Sequence, residues 1–322
     1  MSLAPTEKLT VKVAGYVAEA KDVVLLELRD VHDGVLPRFE PGAHIEMHLP
    51  NGLIRHYSLL NDSRETDRYV VAVGRAADGR GGSDYVHQRL AQGAQVQIGA
   101  PRNNFPLDPQ AESYLFIAGG IGITPIMSMI RWCCANGRAW RLVYAARSRQ
   151  RAALYEDIRL LGDANVHWHF DDERGGHLQA GDFVRDLGRG EQIYCCGPQP
   201  LMQAVQAACA GHPDGIAHFE WFSAPGTEAR PAESGAFEIQ LQRSGVSFMV
   251  PPDKSILEVL EENGFSIPFS CREGTCRTCE TGVCSGTPEH FDYVLSAEER
   301  AAGKSMMVCV SRTSDPVLCL DL

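Results

Sequence analysis

The chain has 322 residues, 44% of them hydrophobic, which is enough for two or three domains at ~100–200 residues each. Its 30 basic and 41 acidic side chains leave a net charge of −11, which argues against a nucleic-acid footprint because such surfaces are basic. Eleven cysteines are too sparse for a disulfide scaffold at this length. The amino terminus shows no basic flank leading into an apolar stretch, so no secretory signal is read there. A cytoplasmic location with reduced thiols is expected, which turns attention to metal or redox use of cysteine.

Residues 9–98 carry short alternating or β-branched runs, at 11–17, 23–28, 44–49 and 69–73, punctuated by Asp33-Gly34, Pro41-Gly42 and Asn51-Gly52. Strands at this spacing predict a small barrel or sandwich. Residues 113–130 are free of charge, but Gly119, Gly120, Gly122 and Pro125 interrupt the run. A buried strand, a glycine turn and a helix start fit better than a membrane span. Beyond Pro106, apolar runs at 114–118, 142–146, 166–170 and 193–196 alternate with helical stretches near 126–136, 155–161 and 201–210, as βαβ units on a parallel sheet would. Residues 224–235 read as a linker. Runs at 237–243 and 246–250 flank the hairpin dipeptide Ser244-Gly245. Ser255 with Glu258 forms a capping-box pattern, and Gly264 can supply a left-handed helix end.

Cys271, Cys276 and Cys279 follow the spacing C-x4-C-x2-C, and Cys309 lies thirty positions on. Four thiolates at this spacing are the plant-type 2Fe–2S pattern. A zinc ribbon would need a second C-x2-C pair, and a thioredoxin-like dithiol would leave Cys271 and Cys309 unused. Cys284 exceeds the count of four and is expected on the buried face of a strand.

Arg55-His56-Tyr57-Ser58 leaves a strand and offers a phosphate fork, an aromatic plane and a hydroxyl. Gly81-Gly82-Ser83 precedes a helical stretch, a context in which backbone N–H groups bind anions. The run Gly119-Gly120-Ile121-Gly122-Ile123-Thr124-Pro125 follows a strand and opens a helix, as a pyrophosphate site requires. Pro125 stands where the third glycine of the dinucleotide fingerprint would fall, so a generic glycine turn stays open for this run alone. Cys195-Cys196-Gly197-Pro198 ends a later strand, where ligands sit in open α/β sheets. Cys195 is expected to be buried and structural.

In this order the motifs resemble the ferredoxin-NADP⁺ reductase superfamily. With a plant-type ferredoxin region at residues 237–322, the chain resembles its phthalate dioxygenase reductase subfamily, which includes reductases of vanillate-type demethylases. The resemblance implies a multidomain fold: a flavin-binding antiparallel Greek-key β-barrel at 1–107, a nicotinamide-binding α/β parallel sheet of five strands at 108–223, a linker at 224–236 and a β-grasp ferredoxin at 237–322.

It also implies FMN rather than FAD, NADH and a 2Fe–2S cluster. Arg55, Gly81, Gly82 and Ser83 would meet the FMN phosphate. Tyr57 would lie against the isoalloxazine, Ser58 would approach its reactive edge, and Val73 and Arg75 would line the ring and ribityl side. His56 departs from the small hydroxyl residue usual at its position. Within Glu220-Trp221-Phe222, Phe222 aligns with the aromatic over the flavin. Thr124 and Cys196 would sit near the nicotinamide, with Gly120 and Gly122 at the pyrophosphate, and Gly197 belongs to the Cys-Gly-Pro signature of the nicotinamide end. Arg147 could meet the adenosine half. Asp171 and Asp172 would repel a ribose phosphate and favour NADH, while Arg147, Arg149 and Arg151 argue the other way. Ser58, Thr124 and Cys196 would be the catalytic residues, and Cys271, Cys276, Cys279 and Cys309 the metal ligands.

The implied activity is that of a monomeric reductase passing electrons from NADH to a Rieske-type aromatic oxygenase or O-demethylase. A haem monooxygenase is the alternative acceptor. A non-catalytic redox sensor is a third possibility, but it would be expected to carry an output segment. Residues 237–322 hold 7 basic and 13 acidic side chains, a net −6, which could steer docking onto a basic partner.

Overall fold

The β-branched runs of the first hundred residues form strands because one face of each can be buried. The computed structural model describes residues 8–76, 81–213, 215–224 and 235–322, in two compact units, residues 1–220 and 221–322. Most of the expected linker lies outside the described residues.

In the first unit, β1 (Lys8–Ala20), β2 (Val23–Asp30), β3 (His44–His48), β4 (Ile54–Ser58), β5 (Tyr69–Gly74) and β6 (Gln95–Gly99) pair in the order β4-β3-β6-β1-β2-β5. Every pairing is antiparallel. A bridge between Leu59 and Val71 joins the two outer strands, and closure removes the exposed edges of an open sheet. Alternate residues such as Val11, Val13, Leu26, Leu28, Ile45 and Met47 fill the interior. Helix α1 (Gly82–Arg89) is the only helix among the described residues of this barrel.

The same unit continues as a parallel sheet: β7 (Ser113–Gly119), β8 (Ala139–Ala146), β9 (Val166–Phe170), β10 (Glu191–Cys196) and β11 (Ala217–Glu220), in the order β11-β10-β7-β8-β9. Its crossovers carry α2 (Ile123–Ala135), α3 (Tyr155–Gly162), α4 (Asp171–Arg174), α5 (Gly181–Arg185) and α6 (Gln199–Ala208). Strand β7 and helix α2 are buried almost throughout, which is why the uncharged run is so long. Barrel and sheet are stitched together by Lys21 N–H to the Gln150 carbonyl at 2.8 Å, Gly42 N–H to Ser128 Oγ at 3.0 Å and Leu154 N–H to Glu19 Oε1 at 3.0 Å.

The second unit holds β12 (Phe237–Leu241), β13 (Val246–Val250), α7 (Ile256–Glu262), β14 (Glu280–Ser285), β15 (Pro288–Glu289), α8 (Ala297–Ala302), β16 (Ser305–Met307), β17 (Arg312–Thr313) and β18 (Val317–Leu320). Its main sheet runs β13-β12-β18-β14-β16 with β12 parallel to β18, the mixed sheet of a β-grasp, with α7 packed on its core. Ser255 Oγ accepts from Glu258 N–H and the Glu258 carboxylate accepts from Ser255 N–H, so the expected capping box forms. Gly264 ends that helix at φ 81°. The Ser244-Gly245 turn is also present, closed by Gly245 N–H to the Leu241 carbonyl at 2.8 Å.

One side chain of this unit gave no sequence signal. Arg312 is buried at 1% exposure. It donates to the carbonyls of Lys254 at 2.7 Å and of Gly235 and Pro251 at 3.2 Å, and its guanidinium lies 4.8 Å from the Phe237 ring centroid. It fastens the start of the unit to its core. Arg312→Met should lower the stability of this unit by about 3 kcal/mol, because charged hydrogen bonds contribute ~1.5–3 kcal/mol and the carbonyls stay buried. Urea unfolding followed by loss of visible cluster absorbance measures this; a loss below about 1 kcal/mol would contradict the clamp.

Candidate functional site

The Arg55–Ser58 motif forms the last four residues of β4. Its register with β3 places Arg55 opposite Met47, and Tyr57 opposite Ile45. Facing residues share a sheet face, so these two side chains lie on one face and His56 and Ser58 on the other. The Tyr57 hydroxyl is buried and has no hydrogen-bond partner among the described residues, and burial pushes its pKa up to about 12. An orphaned phenol of this kind suits a ligand that supplies a polar partner. Gly81 begins α1 in the left-handed region at φ 78°, and a Cβ on Gly82 would stand 2.3 Å from Arg55 Nε. The helix start and the Arg55 side chain therefore lie in close contact, and together they form an anion cradle.

The other flavin-side residues take the following positions. The side chain of Val73 is buried in the barrel core, leaving its carbonyl to reach His87 Nε2 at 2.9 Å. Arg75 Nε pairs with Asp84 at 2.7 Å. Ser83 Oγ accepts from Ala76 N–H at 3.2 Å. His56 packs edge-on against His44 at 5.3 Å, and burial drives His44 down to about 3.

At the carboxyl ends of the parallel strands the glycine run is tightly enclosed. A Cβ on Gly122 would lie 2.2 Å from the Cys196 carbonyl oxygen, one on Gly119 2.5 Å from Pro198 Cδ, and one on Gly197 2.9 Å from Gly119 N. Gly120–Gly122 makes a 3-10 turn leading into α2, and Thr124 Oγ1 donates to the Ile121 carbonyl at 3.0 Å. Cys195 and Cys196 are both buried, and burial together with Glu220 pushes the Cys196 thiol up. Cys196 is in register with Ala118 on β7 and Glu220 on β11.

Glu220 is the functional residue that sequence reasoning passed over, treating it only as part of an aromatic segment. Ser58 Oγ of the barrel donates to Glu220 Oε2 at 3.5 Å, and burial lifts the Glu220 carboxyl to about 8. The available signal was an acidic residue closing the apolar run 217–220. Ser58, Cys196 and Glu220 thus converge, with Thr124 opening the neighbouring helix.

The adenosine end is set by the ends of β8 and β9. Arg147 follows β8, and its carbonyl accepts from Asp172 N–H at 3.2 Å. Asp171 faces His177 Nδ1 at 3.0 Å and His169 Nε2 at 3.4 Å. Arg149 pairs with Glu173 at 3.3 Å and Arg151 with Asp22 at 2.6 Å.

In the second unit, Trp221 packs on Tyr293 at 5.6 Å, while Phe222 is 47% exposed. The cysteine loop is tightly constrained. Arg272, Gly274 and Arg277 lie in the left-handed region at φ 58°, 70° and 60°, and a Cβ on Gly274 would meet Val310 Cγ2 at 2.7 Å and Asp292 Cα at 2.9 Å. Cys276, Cys279 and Cys309 are buried, and Cys271 is half-buried. Cys271 is within hydrogen-bonding reach of Cys276 and Cys309, and Cys279 of Cys309. Hydrogen bonds from Cys276 and Cys309 pull the Cys271 thiol down, and the N–H groups of Glu273 and Thr275 add to them at 3.3 and 3.4 Å. Four thiols brought within reach of one another fit an iron–sulfur cluster. The fifth cysteine overturns expectation: Cys284 is exposed, because Thr281 and Val283 of the same strand face inward and alternation puts Cys284 on the outer face.

Residues 116–207 match the oxidoreductase NAD-binding domain family, and residues 239–314 the 2Fe-2S iron-sulfur cluster binding domain family. Fold and site therefore define an NAD-binding iron–sulfur oxidoreductase. Phenoxybenzoate dioxygenase subunit beta of Ectopseudomonas oleovorans is 43% identical over 304 residues, 94% of each chain. Phthalate dioxygenase reductase of Burkholderia cepacia is 41% identical over 321 residues, 98% of this chain and 97% of its own. A solved phthalate dioxygenase reductase, titled a modular structure for electron transfer from pyridine nucleotides to 2Fe-2S, matches with a TM-score of 0.72 at 41% identity over 98% of both chains. An intact type IV self-sufficient cytochrome P450 monooxygenase matches with a TM-score of 0.92 at 36% identity over 98% of this chain, which spans 41% of that protein's length. The chain belongs to the phthalate dioxygenase reductase family, and it is a reductase component that carries electrons from a nicotinamide donor through a flavin to a 2Fe–2S cluster.

Two outcomes follow from this geometry. Between its ordinary 4.5 and about 8, Glu220 keeps a proton in the folded chain that the unfolded chain has lost, so stability falls as pH rises through that window. Glu220→Gln should flatten the pH dependence of Tm there and melt above wild type at pH 8; parallel curves would contradict the buried proton. Gly274→Ala should reduce iron and sulfide content at least several-fold, read by colorimetric assay, with flavin content unchanged. Full cluster loading would show that the loop tolerates the contact.

Proposed function

We propose that the chain is the FMN-containing reductase of a Rieske-type aromatic oxygenase or O-demethylase and draws its electrons from NADH. The observation that carries it is the convergence of barrel Ser58 with Glu220 and Cys196 at the carboxyl ends of the parallel strands, in a chain that also gathers four cysteines, three on one loop and Cys309 from further along. When bound, FMN would supply the exchange between a two-electron hydride donor and a one-electron 2Fe–2S acceptor.

The protein's part is to hold and orient. Arg55 with the N–H groups at Gly81, Gly82 and Ser83 would hold the FMN phosphate. Tyr57 would supply the aromatic wall and its unpartnered hydroxyl. Arg75 and the Val73 backbone would border the ribityl side. Ser58 and Glu220 would hold a proton at the reactive edge, and Phe222 would supply the outer aromatic. Gly120, Gly122 and Gly197 would leave space for the pyrophosphate, while Thr124 and Cys196 would position the nicotinamide. Asp171 would accept from the adenosine ribose hydroxyls near Arg147. Arg149 and Arg151 are already committed to Glu173 and Asp22, which weakens a ribose-phosphate site and supports NADH. Cys271, Cys276, Cys279 and Cys309 would ligate the cluster.

We place the domains at 1–107, 108–223 and 237–322 with a linker at 224–236, a reading supported by the separate antiparallel, parallel and mixed sheets. A Rieske acceptor is supported by relatives named as dioxygenase components. A haem acceptor is the second reading, supported by the match to the P450 monooxygenase. No helix among the described residues is long and apolar enough to cross a membrane, and the free cysteines suit a reducing cytoplasm, where we place the chain as a monomer.

Reconstitution with a purified Rieske oxygenase should couple NADH oxidation to product, and should do so better than reconstitution with a P450 lacking its own reductase. The reverse preference would transfer the proposal to a haem partner. Cys276→Ser should abolish reduction of a protein acceptor while sparing NADH-driven dye reduction; equal loss of both activities would contradict a serial path.

A further inference from the structure

The second unit contains six cysteines, four in the cluster set, and the remaining two stand together. Strands β14 and β18 pair with Val283 opposite Leu320 and Ser285 opposite Cys319. Cys284 is the extra residue of the bulge, so it and Ser285 share Cys319 as their cross-strand partner. Leu318 and Leu320 on either side of Cys319 point into the core, which puts the Cys319 thiol on the outer face. Cys284 is exposed and Cys319 half-buried, and the two thiols are close enough to hydrogen-bond. Facing residues of an antiparallel pair have Cα atoms about 4.5–5.5 Å apart, within the roughly 4.4–6.8 Å that disulfides span.

We propose that Cys284 and Cys319 form an oxidation site, a dithiol that hydrogen peroxide converts into a cross-strand disulfide while the cluster ligands stay in place. The Cys284 thiolate attacks one peroxide oxygen, the O–O bond breaks, and hydroxide leaves a sulfenic acid. The Cys319 thiolate then attacks that sulfur, the S–O bond breaks and the S–S bond forms. Overall, two thiols lose two electrons and two protons, and one peroxide becomes two waters.

The charged and titratable groups facing Cys284 are Cys319, Asp321 and Arg243. Arg243 is held in a two-pronged pair with Asp321, both contacts at 2.6 Å. Desolvation, Cys319 and Asp321 push the Cys284 thiol up, and Arg243 acts against them. The thiolate is the reactive form, so oxidation is slow at neutral pH and accelerates as pH rises. The bond would fix β14, whose first residue directly follows Cys279, to the carboxyl-terminal strand.

The test treats the full holoprotein with limiting hydrogen peroxide, alkylates free thiols and locates the bond by tandem mass spectrometry, with visible absorbance reporting the cluster. The expected result is a 284–319 disulfide at retained cluster absorbance, with a rate about tenfold higher at pH 8 than at pH 7. Cys284→Ser should abolish it, and Cys319→Ser should leave residue 284 open to alkylation after peroxide removal and reduction of sulfenic acid. Cluster bleaching without a 284–319 bond would overturn the proposal, as would a cross-link that persists in Cys284→Ser and so involves Cys279. Mapping in the wild-type chain decides the question even if a variant folds poorly.

Discussion

The carboxyl ends of β7 and β10 meet with no space for one more carbon atom. A side chain at Gly122 would overlap the Cys196 carbonyl, one at Gly119 the Pro198 ring, and one at Gly197 the Gly119 amide. This backbone contact fixes where Thr124 opens its helix and where Cys196 ends its strand. Through the parallel register with β11 it also fixes where Glu220 stops. The barrel then has one place to dock its own strand end, and Ser58 reaches Glu220 there. Thr124, Cys196 and Glu220 thus take their positions from that contact, while Arg55 and Tyr57 take theirs from the barrel register.

The second unit meets its functional demand by another route. A short loop has to bring three thiols to one point and accept a fourth from thirty residues away. Three left-handed residues bend it, and Gly274 lets it lie against Asp292 and Val310. Arg277 ties the loop outward to Glu280 and Glu299, while Tyr293 N–H donates to the Gly274 carbonyl at 2.9 Å. Rigidity of this kind suits electron transfer, where donor and acceptor benefit from small reorganisation on changing charge.

The parts legible in sequence were those governed by local chemistry. Thiolate spacing announces a cluster because the metal fixes the ligand count. Ser255 and Glu258 announce a helix start because the capping bonds join residues three apart. Alternating β-branched runs announced the barrel strands, and the apolar run at 113–130 resolved into a buried strand and helix. What escaped depends on long-range contact. Glu220 acquires its meaning from Ser58, 162 positions away, and Arg312 from carbonyls 58 to 77 positions away. Cys284 was misplaced because the buried face of its strand is chosen by the sheet it joins: Val283 packs inward, so its neighbour points out.

The central claim is that one chain holds a flavin and a 2Fe–2S cluster in series. The most direct measurement is release and identification of the flavin from the purified protein, with iron and acid-labile sulfide counted on the same sample. The account predicts FMN at about one per chain with about two iron and two sulfide. FAD would contradict the flavin assignment, and zinc without sulfide would remove the cluster and the relay with it.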